Sequence, residues 1–193
     1  MRNQTLVGLS MSRACLMSAS LWSTQQLAEF LAAVSLAGTE AAAAQAAVEH
    51  TAEELDAEVA AIVCGDFLLA SVGYPESRAP VAELAAVTPG VGGELAIPGL
   101  GACLATAVRL EYPPGARLVV ARCGTRLSPR EVSLLRGMAH ASSLVMRMLH
   151  LVGEEQAARR DGAQRQVQLA QLASEQAALR RVATLVACGA SPS

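Results

Sequence analysis

The stretch from Ser128 to Val152 limits what this chain can fold into more than any other. Its start is well marked. Ser128 can cap the free backbone N–H groups of a first helical turn. Pro129 stands where its missing N–H does no harm, and Glu131 follows three residues after the cap, as a capping box requires. Leu134, Met138, Ala141, Val145, Met148 and Val152 then recur in steps of four and three, and Leu135, Ser142 and Leu149 widen the stripe. A helix with so broad an apolar face must bury it against its own domain, a second copy, or both. The spacing predicts a parallel homodimer with those six residues as its seam. A terminal helix of a single core is the plainer alternative.

The 193 residues allow one domain of ordinary size and an extension. Since only 3% of them are aromatic, the core must be built from Ala, Leu and Val. Charge is uneven: residues 1–127 hold seven Arg against twelve acids, and residues 128–193 hold eight Arg against five. A net charge of −2 does not suggest a nucleic-acid partner. No apolar run reaches the eighteen residues a membrane span needs. The five cysteines, at 15, 64, 103, 123 and 188, form no C-x-x-C. Their odd number and the weak N-terminal apolar run suggest a reducing cytoplasm, with strand cysteines acting as small hydrophobes.

Residues 1–20 have no periodicity and read as a disordered or non-native extension, with Met11 and Met17 as alternative starts. Ser23 and Gln26 mark a first helix that ends at Gly38; Thr39 caps a second, Glu40–Ala57. The acids Glu49, Glu53, Glu54, Asp56 and Glu58 disfavour the end of that helix. Val59–Cys64 and Phe67–Val72, joined by Gly65-Asp66, predict a hairpin. A short helix at Val81–Val87 and strands at Glu94–Ile97, Ala102–Leu110 and Arg117–Cys123 lead to the capped helix. Beyond Val152 the pattern weakens through Gly153 and Gly162. It resumes at Leu169, Leu172, Leu179, Ala183 and Val186, which predicts a helical linker or coiled coil over 153–188 and a tail at 189–193.

This order satisfies an α+β fold, an antiparallel sheet with helices packed on it. It resembles a GAF domain over residues 21–152. The likeness is carried by Gln26–Val34 with Glu49–Leu55, by Ala102–Leu110 with Arg117–Arg122, and by Leu127–Leu135 at the last helix entry. Glu175–Ala187 is similar to the opening helix of a further GAF domain, as in tandem sensors of actinobacterial type. The chain is therefore expected to be a truncated N-terminal sensory domain. Such proteins run on into a histidine kinase, a cyclic-di-GMP enzyme or a phosphatase. The resemblance implies a non-catalytic module of signal transduction without a resident cofactor. By analogy with the family, Phe67, Leu69, Leu95, Ile97, Cys103, Ala105 and Val119 line any ligand pocket. A closed core made of the same side chains is the competing reading. The Asn-Lys…Phe…Asp-Glu signature of cyclic-nucleotide binders is missing, since the chain has no Lys. The segment Gly73–Gly101 is a short roof, which implies a small pocket or none.

Enzyme sites are poorly supported. His50, His140 and His150 lie on predicted helices without metal spacing and read as structural or solvated. Gly90–Gly93 and Pro98–Gly101 read as turns, since no G-x-x-x-x-G-K follows. Arg109, beside Glu111, reads as the solvent face of a strand. The overall expectation is a cytoplasmic sensory domain passing ligand or partner state through a dimerising helix. The alternatives are a ligand-free dimerisation spacer and, last, a small cysteine-dependent enzyme.

Overall fold

The computed structural model describes residues 24–74, 79–97, 99 and 101–189, with side chains described as far as Thr184. The expectations for residues 1–20, the Ser23 cap and most of the tail lie outside this range. The chain divides after His150 into two compact units.

In the first unit, α1 covers residues 24–35. Helix α2 (Glu40–Glu54) begins at Thr39, whose hydroxyl accepts from the Ala42 N–H at 3.2 Å. It ends three residues before the expected Ala57, and Asp56 takes a left-handed φ of 47°. The acids gathered there oppose the partial negative charge of a helix C-terminus and favour this early stop. The buried face of α2 is Ala43, Ala44, Ala47, Val48, Thr51 and Ala52. Small side chains let the helix lie close on the sheet. Gly137 of the last helix serves the same end, because a Cβ there would stand 2.9 Å from Leu27 Cδ2 of α1.

Strands β1 (Val59–Cys64), β2 (Phe67–Val72), β3 (Gly93–Ile97), β4 (Gly101–Arg109) and β5 (Ala116–Arg122) form one antiparallel sheet in the order β2-β1-β5-β4-β3. Gly65, at φ 57°, makes the tight β1–β2 turn. Alternation along the strands divides the core in two. Ala60, Ile62, Ala70, Val108, Leu118 and Val120 face the large helices, where they meet Phe30, Val34, Val48, Leu135 and Met138. Val59, Ala61, Val63, Ala107, Val119 and Ala121 face the other way, against Tyr74, Leu84 and Val87. There the short helix α3 (Val81–Ala86) is the cover, and Arg117 donates to its Ala85 carbonyl at 2.6 Å.

Helix α4 spans Pro129–Gly189. Its capping box forms as expected: the Ser128 N–H donates to Glu131 Oε2 at 2.6 Å and the Glu131 N–H to Ser128 Oγ at 3.3 Å. Gly153 and Gly162 do not interrupt it, although each costs ~1 kcal/mol against Ala. Pairs at i,i+4, Glu155 with Arg159 and Asp161 with Arg165, oppose that cost. In the second unit every residue from Leu151 to Thr184 is exposed in the single chain, except the half-buried Ala177. Among the described residues no helix is long and apolar enough to cross a membrane.

The predicted seam requires correction. Leu134, Met138 and Val145 are buried in the core of their own domain, and Ala141 packs against its edge. The inward side of the stripe is consumed by the sheet and by α1 and α2. Met148 and Val152 remain exposed, and so do Leu144 and Leu151. Of the predicted seam, Met148 in the first unit and Val152 in the second therefore stay available to a partner, and Leu144 and Leu151 are available beside them.

Candidate functional site

Two places in the first unit bear on function. The first is the sheet face beneath α3, where the resemblance puts a ligand pocket. Leu95, Ile97, Cys103, Ala105 and Val119 are at most 4% exposed and belong to one packed cluster with Leu84 and Val87. Phe67 and Leu69 do not join them, and their assignment is corrected: Phe67 is 75% exposed and Leu69 40%. The cause is a bulge between Ile62 and Val63, after which Val63 pairs with Leu68. Leu68 thereby reaches the second core, while Phe67 and Leu69 sit at the sheet edge.

The same face holds a feature that sequence reasoning missed. Cys103 and Cys123 form a disulfide between β4 and the residue following β5, with Cα atoms 4.3 Å apart. They continue the register that pairs Leu104 with Arg122. A hairpin aligned on Leu104 and Arg122 would have revealed the pair; spacing alone did not.

The second place is a groove of about 610 Å³ on the helical face. Leu104, Thr106 and Val108 of β4 lie along it, with Pro89–Gly93 on one side and Val132, Arg136 and His140 of α4 on the other. Arg109, Arg126 and Arg136 line it, and among the described residues none of the three has an acid within salt-bridge distance. Glu111 is its one acid and pairs with His140 at 3.2 Å. The groove is thus an electropositive cleft with an apolar floor, suited to an anion. Arg109 lies on the solvent face as expected, but it also takes part in this lining.

The joint between β5 and α4 is polar and partly buried. Arg122 donates to Glu131, to the Leu55 carbonyl at 3.1 Å, and to the Thr125 and Arg126 carbonyls. The guanidinium, first of all, with the Ser128 hydrogen bonds, holds the Glu131 carboxyl down at about 2, against burial, which raises it. Elsewhere Tyr74 is raised by burial and then by Glu83, and its hydroxyl donates to the Ala96 carbonyl at 3.3 Å. The histidines all face acids: His50 meets Glu53, His140 meets Glu111, and His150 meets Glu40 at 2.9 Å while leaning on the Tyr112 ring. Among the described residues no three metal-ligating side chains gather.

No protein-family model matches the chain, and no curated protein matches it. Solved structures do. One is the GAF domain from a phosphoenolpyruvate-protein phosphotransferase of Coxiella burnetii, 13% identical with a TM-score of 0.50, over 68% of this chain and 96% of that one. Another is a bacteriophytochrome from the photosynthetic bacterium R. palustris, 10% identical with a TM-score of 0.51, over 72% of this chain and 40% of that one. The chain has a GAF-like fold.

Proposed function

We propose that the chain is a cytoplasmic sensory or regulatory module with no catalytic step of its own, in which the GAF-like domain controls how two copies of α4 pair. The observation that carries this reading is the state of α4. The helix starts inside the domain, with Leu135 and Met138 fully buried, and continues as a helix whose apolar residues have no cover. In the first unit they include Leu144 and Met148; in the second they include Leu151, Val152, Val167 and Val182 besides Leu169, Leu172 and Leu179, which stand in steps of three and seven. A second copy of the same helix, in parallel, covers such residues by coiled-coil packing. Signal passage follows from the groove and the joint, because Val132, Arg136 and His140 belong to α4 and line the cleft. An anion or acidic partner seated there binds one helix setting better than another and shifts the population toward it. An output module joined to α4 would feel the shift.

A second reading, a dimerisation spacer without ligand, is favoured by the packed face beneath α3, where Val119 and Cys103 are fully buried. Light scattering of the whole chain separates dimer from monomer. Calorimetry with polyanions such as pyrophosphate and citrate then separates sensor from spacer.

A further inference from the structure

We propose that Cys103 and Cys123 form a reversible dithiol–disulfide centre that exchanges with low-molecular-weight disulfides and sets how the start of α4 is held. The pair is defined by neighbouring strands, with Cα atoms 4.3 Å apart, so no large backbone movement is needed to join or part the sulfurs. The two ends differ in access. Cys103 is fully buried between its β3 partner Leu95 and the second core. Cys123 is half-buried at the end of β5, where an incoming reagent can meet it. The exchange then has a fixed order. The Cys123 thiolate attacks one sulfur of the small disulfide, a new S–S bond forms, and one small thiolate leaves. The Cys103 thiolate next attacks the Cys123 sulfur, and the second small thiolate leaves. Two protein thiols have lost two electrons and two protons, and one small disulfide has become two thiols. Excess small thiol runs the same steps backward.

The consequence for α4 follows from what adjoins Cys123. Two thiols cannot remain at bonding distance, so reduction must part the sulfurs. Cys103 is held on both sides by packed strands, whereas Cys123 is followed by Gly124 at φ 92°. Cys123 is therefore the end that yields. Its own N–H donates to Glu58 at 2.8 Å, and its neighbour Arg122 points to the opposite face, where it fastens Leu55, Thr125, Arg126 and Glu131. A shift at Cys123 reaches the first turn of α4 through one residue, because packed interiors transmit displacement. The effect on pairing rests on the reading of α4 as the output helix; the centre itself does not.

The test uses the whole chain in glutathione buffers, with reduced to oxidised ratios from roughly 1:1 to 100:1. Peptide mass mapping reads the Cys103–Cys123 link, and amide hydrogen exchange reads residues 122–135. The expectation is that the link forms and disappears with the ratio, and that exchange over 122–135 is faster in the reduced form. A pair that stays linked in excess reduced glutathione, that never links, or that switches without changing exchange at 122–135 overturns the proposal. A variant with Cys15→Ser, Cys64→Ser and Cys188→Ser, which keeps the pair, must retain the whole response; its loss also overturns it. If scattering reports monomer in both redox forms while exchange still follows the ratio, the centre stands and the output reading falls.

Discussion

Arg122 and Glu131 hold each other across the joint between the last strand and α4, with guanidinium Nη1 2.8 Å from carboxylate Oε1. The same guanidinium binds the Leu55 carbonyl after α2, and the same carboxylate accepts from the Ser128 N–H in the capping box. One ion pair therefore ties α2, β5 and α4 at the point where the helix leaves the sheet.

The pair gives a pH dependence. The folded Glu131 carboxyl sits at about 2, below its ordinary 4.5. Its contribution is fully present above 4.5 and is lost as pH falls toward 2. The predicted worth is about 1 kcal/mol, as for a partly exposed pair. Glu131→Gln should lower the melting temperature by a few degrees at pH 7 and by less at pH 3. Thermal melts at the two pH values check this; an undiminished difference at pH 3 contradicts it.

The exposed apolar side of α4 predicts that Leu144→Glu with Met148→Glu gives a folded monomer, since both side chains are exposed in the single chain. Met138→Glu should instead unfold the domain, because it buries an unpaired charge among Leu135, Val48 and Val34. Circular dichroism beside light scattering reads both. A Met138→Glu chain that stays folded and merely dissociates would return that residue to the seam.

The face beneath α3 is predicted to act as core. Leu95→Ala should cost about 2–5 kcal/mol of unfolding free energy, as for a buried leucine elsewhere. Phe67→Ala should stay within about 0.5 kcal/mol of the parent. Urea unfolding measures both, and a large loss at Phe67 would show that the sheet edge is covered in the folded protein.

Cyclic AMP and cyclic GMP are predicted to give no binding heat at millimolar concentration, because the chain has no Lys for their signature and five of the seven expected lining residues, Leu95, Ile97, Cys103, Ala105 and Val119, belong to one buried cluster. A dissociation constant at or below about 1 µM, worth about −8 kcal/mol, would reverse this.

Much of the fold was legible because local signals agreed. Gly65-Asp66 fixed the first hairpin, and Ser128 with Glu131 fixed the start of α4. What escaped depended on contacts between elements. The bulge beside Val63 leaves no mark in the sequence, yet it turned Phe67 and Leu69 out to the sheet edge. The periodic stripe of α4 told that a face is buried, without telling by what; the sheet took Leu134, Met138 and Val145. The groove joins Arg109, Arg126 and Arg136 from a strand, a loop and a helix, so no motif announces it. Cys103 and Cys123 meet only once the strand register is known.

The central claim is that uncovered α4 residues are met by a second copy in parallel. A cysteine placed at Leu172 of a chain that otherwise keeps only the Cys103–Cys123 pair, in its linked form (Cys15→Ser, Cys64→Ser and Cys188→Ser), tests it most directly. In a parallel pair, each Leu172→Cys faces its own counterpart, and mild oxidation should give a covalent dimer in high yield at micromolar concentration. A chain that stays monomeric under the same oxidation, and scatters as a monomer before it, would contradict the account.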